Sequence, residues 1–126
     1  MATTHILIAE DEKALSVALT DKLVREGYKI SVASNGEEAI KLTKTNKFDL
    51  ILLDLMMPVK SGFEVLEELK GDPEFRDIPV IILSNLGEDE NIKKALRLGV
   101  ADYFVKADHP IAEIVEKIKS HLMKPH

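Results

Sequence analysis

The chain contains no cysteine, which excludes disulfides, thiolate metal sites and cysteine nucleophiles. It has no basic excess either. Lys and Arg total 17 against 22 Asp and Glu, a net charge of −5, so a non-specific grip on nucleic acid is not expected. No apolar run approaches the roughly 20 residues of a membrane span. The start, Met1-Ala2-Thr3-Thr4-His5, leads into no signal-peptide h-region, and a cytoplasmic domain is expected. Gly-x-Gly-x-x-Gly, Gly-Lys-Ser/Thr and Gly-x-Ser-x-Gly are all missing, so nucleotide cradles and a nucleophile elbow are unsupported. The four histidines, His5, His109, His121 and His126, show no metal-ligand spacing. There is no linker, internal repeat or low-complexity tract.

What is present fits one domain. The 126 residues, 45% apolar and 31% charged, have the balance of an ordinary globular chain. A chain of this length buries roughly two-thirds of its unfolded surface and needs no staple.

Five short apolar runs recur: Ile6–Ala9, Lys29–Ala33, Leu50–Leu53, Val80–Leu83 and Ala101–Val105. The first, third and fourth are aliphatic throughout, as strands covered on both faces require. The second and fifth alternate more, which suits sheet edges. Helical stripes fall between and after them. They are Leu15, Ala18, Leu19 and Leu23; Ala39, Ile40 and Thr43; Phe63, Leu66 and Leu69; Ile92, Ala95, Leu96 and Gly99; and Ile111, Ile114, Val115, Ile118 and Leu122. Asn35 with Glu38, and Ser61 with Glu64, have capping-box spacing. Gly27, Gly71 and Gly99 stand where helices end on left-handed residues. Pro110 suits a first helical turn. The tail from Met123 to His126 is expected to fray.

The order is (βα)5: an α/β, doubly wound, open parallel sheet. In such sheets ligands bind outside the carboxyl ends of the strands. Those ends carry Glu10, Asp11 and Glu12 after strand 1, Asp54 after strand 3, Ser84 after strand 4 and Lys106 after strand 5. Clustered carboxylates repel one another, and a hard divalent cation such as Mg²⁺ relieves that while keeping sites for water and phosphate oxygens. Asp54 is then a candidate nucleophile, Lys106 a cation for developing charge, and Ser84 a hydroxyl donor. Taken singly, Asp11 also reads as an N-cap, Lys106 as a loop lysine, Glu12 as solvated and Tyr103 as edge packing.

In order along the chain, these segments resemble the response-regulator receiver domains of two-component signalling. The resemblance rests on Ile6–Glu12, Asp49–Pro58, Gly62, Ile78–Ser84 and Gly99–Lys106, and covers Ile6 to Leu122. It implies a single receiver domain over residues 1–126, core about 5–122, with the flavodoxin-like strand order 2-1-3-4-5. It implies that Asp54 accepts a phosphoryl group from a histidine kinase or histidine phosphotransfer protein. Mg²⁺ would be held by Glu10, Asp11, Asp54 and the Met56 backbone carbonyl. Lys106 would contact the phosphoryl group, while Ser84 and Tyr103 move as a switch. The helix 4–strand 5–helix 5 face would then change shape for an output partner. Such a protein assists its own phosphotransfer but is not otherwise an enzyme.

Two departures stand out. Ala107 follows Lys106 where the family usually has proline with a cis bond, so the loop is either trans and rearranged or strained. The residues two past Asp54 and two past Ser84 are Met56 and Leu86, neither able to orient water, so self-dephosphorylation is expected to be slow. Met56 also stands where aspartyl phosphatases place a second acid, which disfavours that activity. A phosphorylation-independent binding module of the same fold is the alternative. An output domain after Leu122 is not expected, and so neither is direct DNA binding; the lack of a long apolar run speaks against membrane contact, and the chain reads as a monomer or a phosphorylation-dependent dimer. Lys93, Lys94, Arg97, Glu113, Glu116 and Lys117 could form an ion-paired dimer face or simply be solvated.

Overall fold

A computed structural model describes residues 3–123 of the chain. Strands and helices alternate: β1 (His5–Ala9), α1 (Lys13–Arg25), β2 (Lys29–Ala33), α2 (Gly36–Thr45), β3 (Leu50–Leu53), α3 (Gly62–Lys70), β4 (Val80–Ser84), α4 (Asp89–Arg97), β5 (Asp102–Val105) and α5 (Ile111–Met123). A short 3-10 turn, Lys106–Asp108, follows β5. All strand pairs are parallel and the order is β2-β1-β3-β4-β5, the expected flavodoxin-like arrangement. Of the tail expected to fray, Met123 is the last residue of α5, and residues 124–126 lie outside those described.

Strand alternation divides the core between the two sheet faces. Leu7, Ala9, Ile51, Leu53 and Ile82 pack with Ala39, Ile40, Val65, Leu66, Leu69 and Ala95 of α2, α3 and α4. Ile6, Ile8, Leu50, Leu52, Ile81, Leu83 and Phe104 pack with Leu19, Leu23, Ile114, Val115 and Ile118 of α1 and α5. The interior strands β1, β3 and β4 are buried at every residue, while β2 and β5 at the edges are partly exposed. The aliphatic and alternating runs therefore sort as the sequence predicts.

Helix ends follow the sequence signals with two corrections. Asn35 Oδ1 accepts the Glu38 N–H at 2.8 Å, and Ser61 Oγ accepts the Glu64 N–H at 3.3 Å. Gly27 and Gly99 adopt φ of 95° and 94°, as expected. Gly71 does not: its φ is −81°, because the chain keeps turning right-handed into the Asp72–Arg76 bonds. Asp11 is not the N-cap of α1. Glu12 holds that place, and its side chain makes no cap bond. The stripe read on α4 is also incomplete, since Leu96 is 52% exposed and Ala95 alone is buried.

Candidate functional site

The carboxyl ends of β1, β3 and β5 meet at a pit of opposite charges. Backbone bonds fix its floor. The Asp54 N–H donates to the Ala9 carbonyl and the Glu10 N–H to the Ala33 carbonyl, both at 2.9 Å, extending the ladders past the strand ends. The residues leaving β1 and β3 are thereby locked side by side. Asp54 Oδ1 accepts the Met56 N–H at 3.0 Å, which sets the rotamer of the carboxylate.

Glu10 and Asp54 are buried, 3% and 4% exposed, whereas Asp11 is open to solvent. One oxygen from each of the three lies within 4.8 Å of the others. Such an all-oxygen set, repulsive when alone, suits a hard divalent cation. Asp11, Glu10 and Asp54 would hold it.

Lys106 enters the pit from β5. Its Nζ lies 2.8 Å from Glu10 Oε1, 3.1 Å from Asp54 Oδ2 and 3.3 Å from Glu12 Oε2. Among the described residues every peptide bond is trans, including Lys106–Ala107. Of the two states open to that loop, it takes the trans one, wound into the 3-10 turn, and the ammonium still reaches both buried carboxylates. Burial would lower the Lys106 pKa, but the bonds to Glu10 and Asp54 and their charges outweigh it and hold the ammonium above its ordinary value. Burial pushes the Glu10 carboxyl up to about 7, with the Asp54 charge adding to it and the Lys106 and Glu12 N–H bonds opposing.

Of the remaining predicted residues, Ser84 and Tyr103 lie beside this pit without bonding to it. Ser84 is fully buried, and its Oγ accepts the Leu86 N–H at 3.3 Å rather than meeting Asp54. The half-buried Tyr103 donates its hydroxyl to the Leu86 carbonyl and packs against the α2–α3–α4 side of the core. Burial, and then the Asp54 charge, raise its pKa. Ser84 and Tyr103 thus share one loop residue. Met56 contributes its N–H to Asp54, and its side chain is 54% exposed.

Sequence reading missed three features. Glu12 reaches Lys106, a contact hinted at only by its place in the Glu10-Asp11-Glu12 triplet. Leu86 bridges Ser84 and Tyr103 through backbone groups, which no side-chain pattern signals. His5, set aside as uninformative, is buried: its Nε2 lies 2.7 Å from Ser31 Oγ and its ring lies 4.5 Å from that of Phe48. On the suggested dimer face, Lys94 pairs with Glu67 at 3.8 Å and stands 4.4 Å over the Phe63 ring. Glu113 and Glu116 also meet partners on or beside their own helix, His109 and Lys119.

Comparison with known proteins gives a consistent result. The family model described as response regulator receiver domain matches residues 6–119. The transcriptional regulatory protein ResD of Bacillus subtilis (strain 168) is 39% identical over 121 residues, which are 96% of this chain and 49% of that protein. The chain spans about half the length of the curated relatives it matches. Among solved structures, the receiver domain of the Francisella response regulator 1452 superposes with a TM-score of 0.86 at 32% identity, covering 95% of this chain and 97% of that one. The Mn²⁺-bound form of response regulator Rcp1 superposes with a TM-score of 0.86 at 27% identity, covering 98% and 97%.

Proposed function

Because the chain belongs to the response regulator receiver domain family, we propose that Asp54 is its phospho-acceptor, charged by a histidine kinase or histidine phosphotransfer protein. The observation that carries this reading is the Lys106 ammonium seated between Glu10 and Asp54 in a buried pit. A phosphoryl donor presents a P–N bond in a phosphohistidine, or a P–O bond in a small acyl phosphate. That bond breaks as an Asp54 carboxylate oxygen bonds to phosphorus, and the electron pair leaves with the donor, as an imidazole nitrogen that takes up a proton or as a free carboxylate.

Little covalent chemistry is asked of the protein beyond this. Asp54 is oriented by the Met56 N–H, and its second oxygen faces Lys106. Lys106 has three N–H donors, and exchanging its Asp54 bond for a phosphoryl oxygen keeps it satisfied. Asp11, Glu10 and Asp54, with the Met56 carbonyl as a further ligand, would hold Mg²⁺, which would supply charge neutralisation on the transferred group.

The signal would leave the pit through Leu86. The Ser84 hydroxyl keeps a free proton to donate to a phosphoryl oxygen, while Leu86 links it to Tyr103. Redirecting Ser84 disturbs that link and so the face formed by α4, β5 and α5, where an output partner would read the change. Among the described residues no helix is long and apolar enough to cross a membrane.

The test is intact mass after incubation with Mg²⁺ and acetyl phosphate, beside D54N and a chelated sample. One added phosphoryl group, absent from both controls, is expected. No gain in folded, Mg²⁺-binding wild type would favour the phosphorylation-independent binding module instead.

A further inference from the structure

Lys106 has three carboxylate partners, and the phosphotransfer reading accounts for two of them. Glu10 and Asp54 line the pit. Glu12 does not: its side chain is 58% exposed and comes from the rim, at the N-terminus of α1, to lie 3.3 Å from the ammonium. Its backbone is tied to the same site, because the Glu12 N–H donates to Glu10 Oε2 at 3.0 Å. Among the described residues Lys106 Nζ is its side chain's one ion-pair partner.

The loop that carries Lys106 offers little restraint of its own. The 3-10 turn Lys106–Asp108 has no buried residue and no side-chain cap. Ala107 leaves more backbone freedom than a proline would at that position. The ammonium is therefore placed by its carboxylates rather than by its backbone. Two of those carboxylates are committed elsewhere during phosphotransfer: Asp54 forms the new bond, and Glu10 helps to hold the cation. Glu12 alone keeps its full charge for Lys106 throughout.

We infer that Glu12 is a positioning residue, which holds the Lys106 ammonium over the pit while Asp54 and Glu10 are engaged in phosphotransfer. The inference rests on the phosphotransfer reading above and adds to it a rim contact that stands in for a stiff loop. It differs from simple surface charge in one respect. A bare negative charge at the mouth would repel an anionic donor whether or not Lys106 were present, and its removal would speed the reaction. A positioning charge acts only through Lys106, and its removal slows the reaction.

A double-mutant cycle separates these. Initial rates of phosphorylation by acetyl phosphate at saturating Mg²⁺ are measured by intact mass for wild type, E12Q, K106M and E12Q/K106M, with E12D as the conservative variant. Rim ion pairs are weak, so E12Q is expected to slow the reaction about three- to fivefold where Lys106 is present. It should leave the K106M rate unchanged, and E12D should recover part of the loss. In parallel, NMR of the Mg²⁺-loaded protein should show distinct Lys106 ε-methylene proton signals in wild type and a single averaged signal in E12Q. An unchanged or faster E12Q rate, an equal factor in both backgrounds, or an unaltered Lys106 signal overturns the inference. A wild type that takes up no phosphoryl group overturns the phosphotransfer reading instead.

Discussion

At the scale of single residues, two side chains beside the pit bear on how long a phosphoryl group would persist. Met56 is two residues past Asp54, and Leu86 is two past Ser84. Neither carries a group that can orient water for attack on phosphorus. The phosphoryl mass is expected to survive for minutes at room temperature, and M56N or L86Q should shorten that several-fold. Loss from wild type within seconds would contradict this. Val59 carries strain instead. The Lys60 N–H donates to the Pro58 carbonyl at 2.8 Å, closing a three-residue turn on Val59 with φ of 71°. A β-branched side chain is poorly tolerated there. Relief of roughly 1–3 kcal/mol of strain, less the ~0.4–1 kcal/mol lost to glycine's freedom in the unfolded chain, leaves V59G more stable by about 1 kcal/mol. Urea unfolding would show this as a raised midpoint at unchanged slope.

At the scale of elements, the start of α3 is what positions Asp54. A Cβ on Gly62 would lie 2.1 Å from the Asp54 carbonyl oxygen, and the Gly62 N–H already donates to the Leu55 carbonyl at 3.0 Å. The helix can approach this closely only without a side chain. G62A must push α3 away from β3, at a cost of about 1–3 kcal/mol by analogy with overpacked cores. Because the displaced residue adjoins Asp54, phosphorylation should fall further than the stability loss explains. Intact-mass rates measured at a temperature where G62A is still folded would show it. The start of α2 is equally close: a Gly36 Cβ would lie 2.0 Å from the Lys60 carbonyl oxygen, so α2 abuts the loop that carries Val59. By contrast α4 buries Ala95 alone. It is the helix least bound to the core, which suits the face a phosphorylation switch would move.

At the scale of the molecule, protons couple to folding in opposite senses at the two ends of β1. His5 is buried, and desolvation first, then the Lys29 charge, hold its pKa below 6.5, with Asp49 opposing. A lowered pKa means that the folded state binds fewer protons, so this stability is present above about pH 6.5 and is lost as pH falls. Thermal unfolding from pH 7 to pH 5 should therefore lose less stability in H5L than in wild type, taking each relative to its own value at pH 7. Glu10 behaves the other way. Its pKa, raised from 4.5 to about 7, means that without metal its contribution is present below about pH 4.5 and is lost as pH rises through 7. Metal uptake would displace that proton. Mg²⁺ affinity by calorimetry should thus climb from about pH 6 to about pH 8, and E10Q should flatten the climb.

The sequence by itself determined the architecture and the membership of the pit. Apolar runs ending abruptly at Glu10, Asp54, Ser84 and Lys106 are local signals, and a parallel sheet necessarily gathers its strand ends on one edge. Only the tertiary structure decided how those residues share their bonds. Glu12 and Lys106 are 94 positions apart, and their contact depends on where one exposed rotamer meets a loop. The trans turn at Ala107, the Leu86 carbonyl under Tyr103 and the right-handed Gly71 have the same origin. Each is set by neighbours that packing supplies, whereas periodicity records only which face of an element is dry.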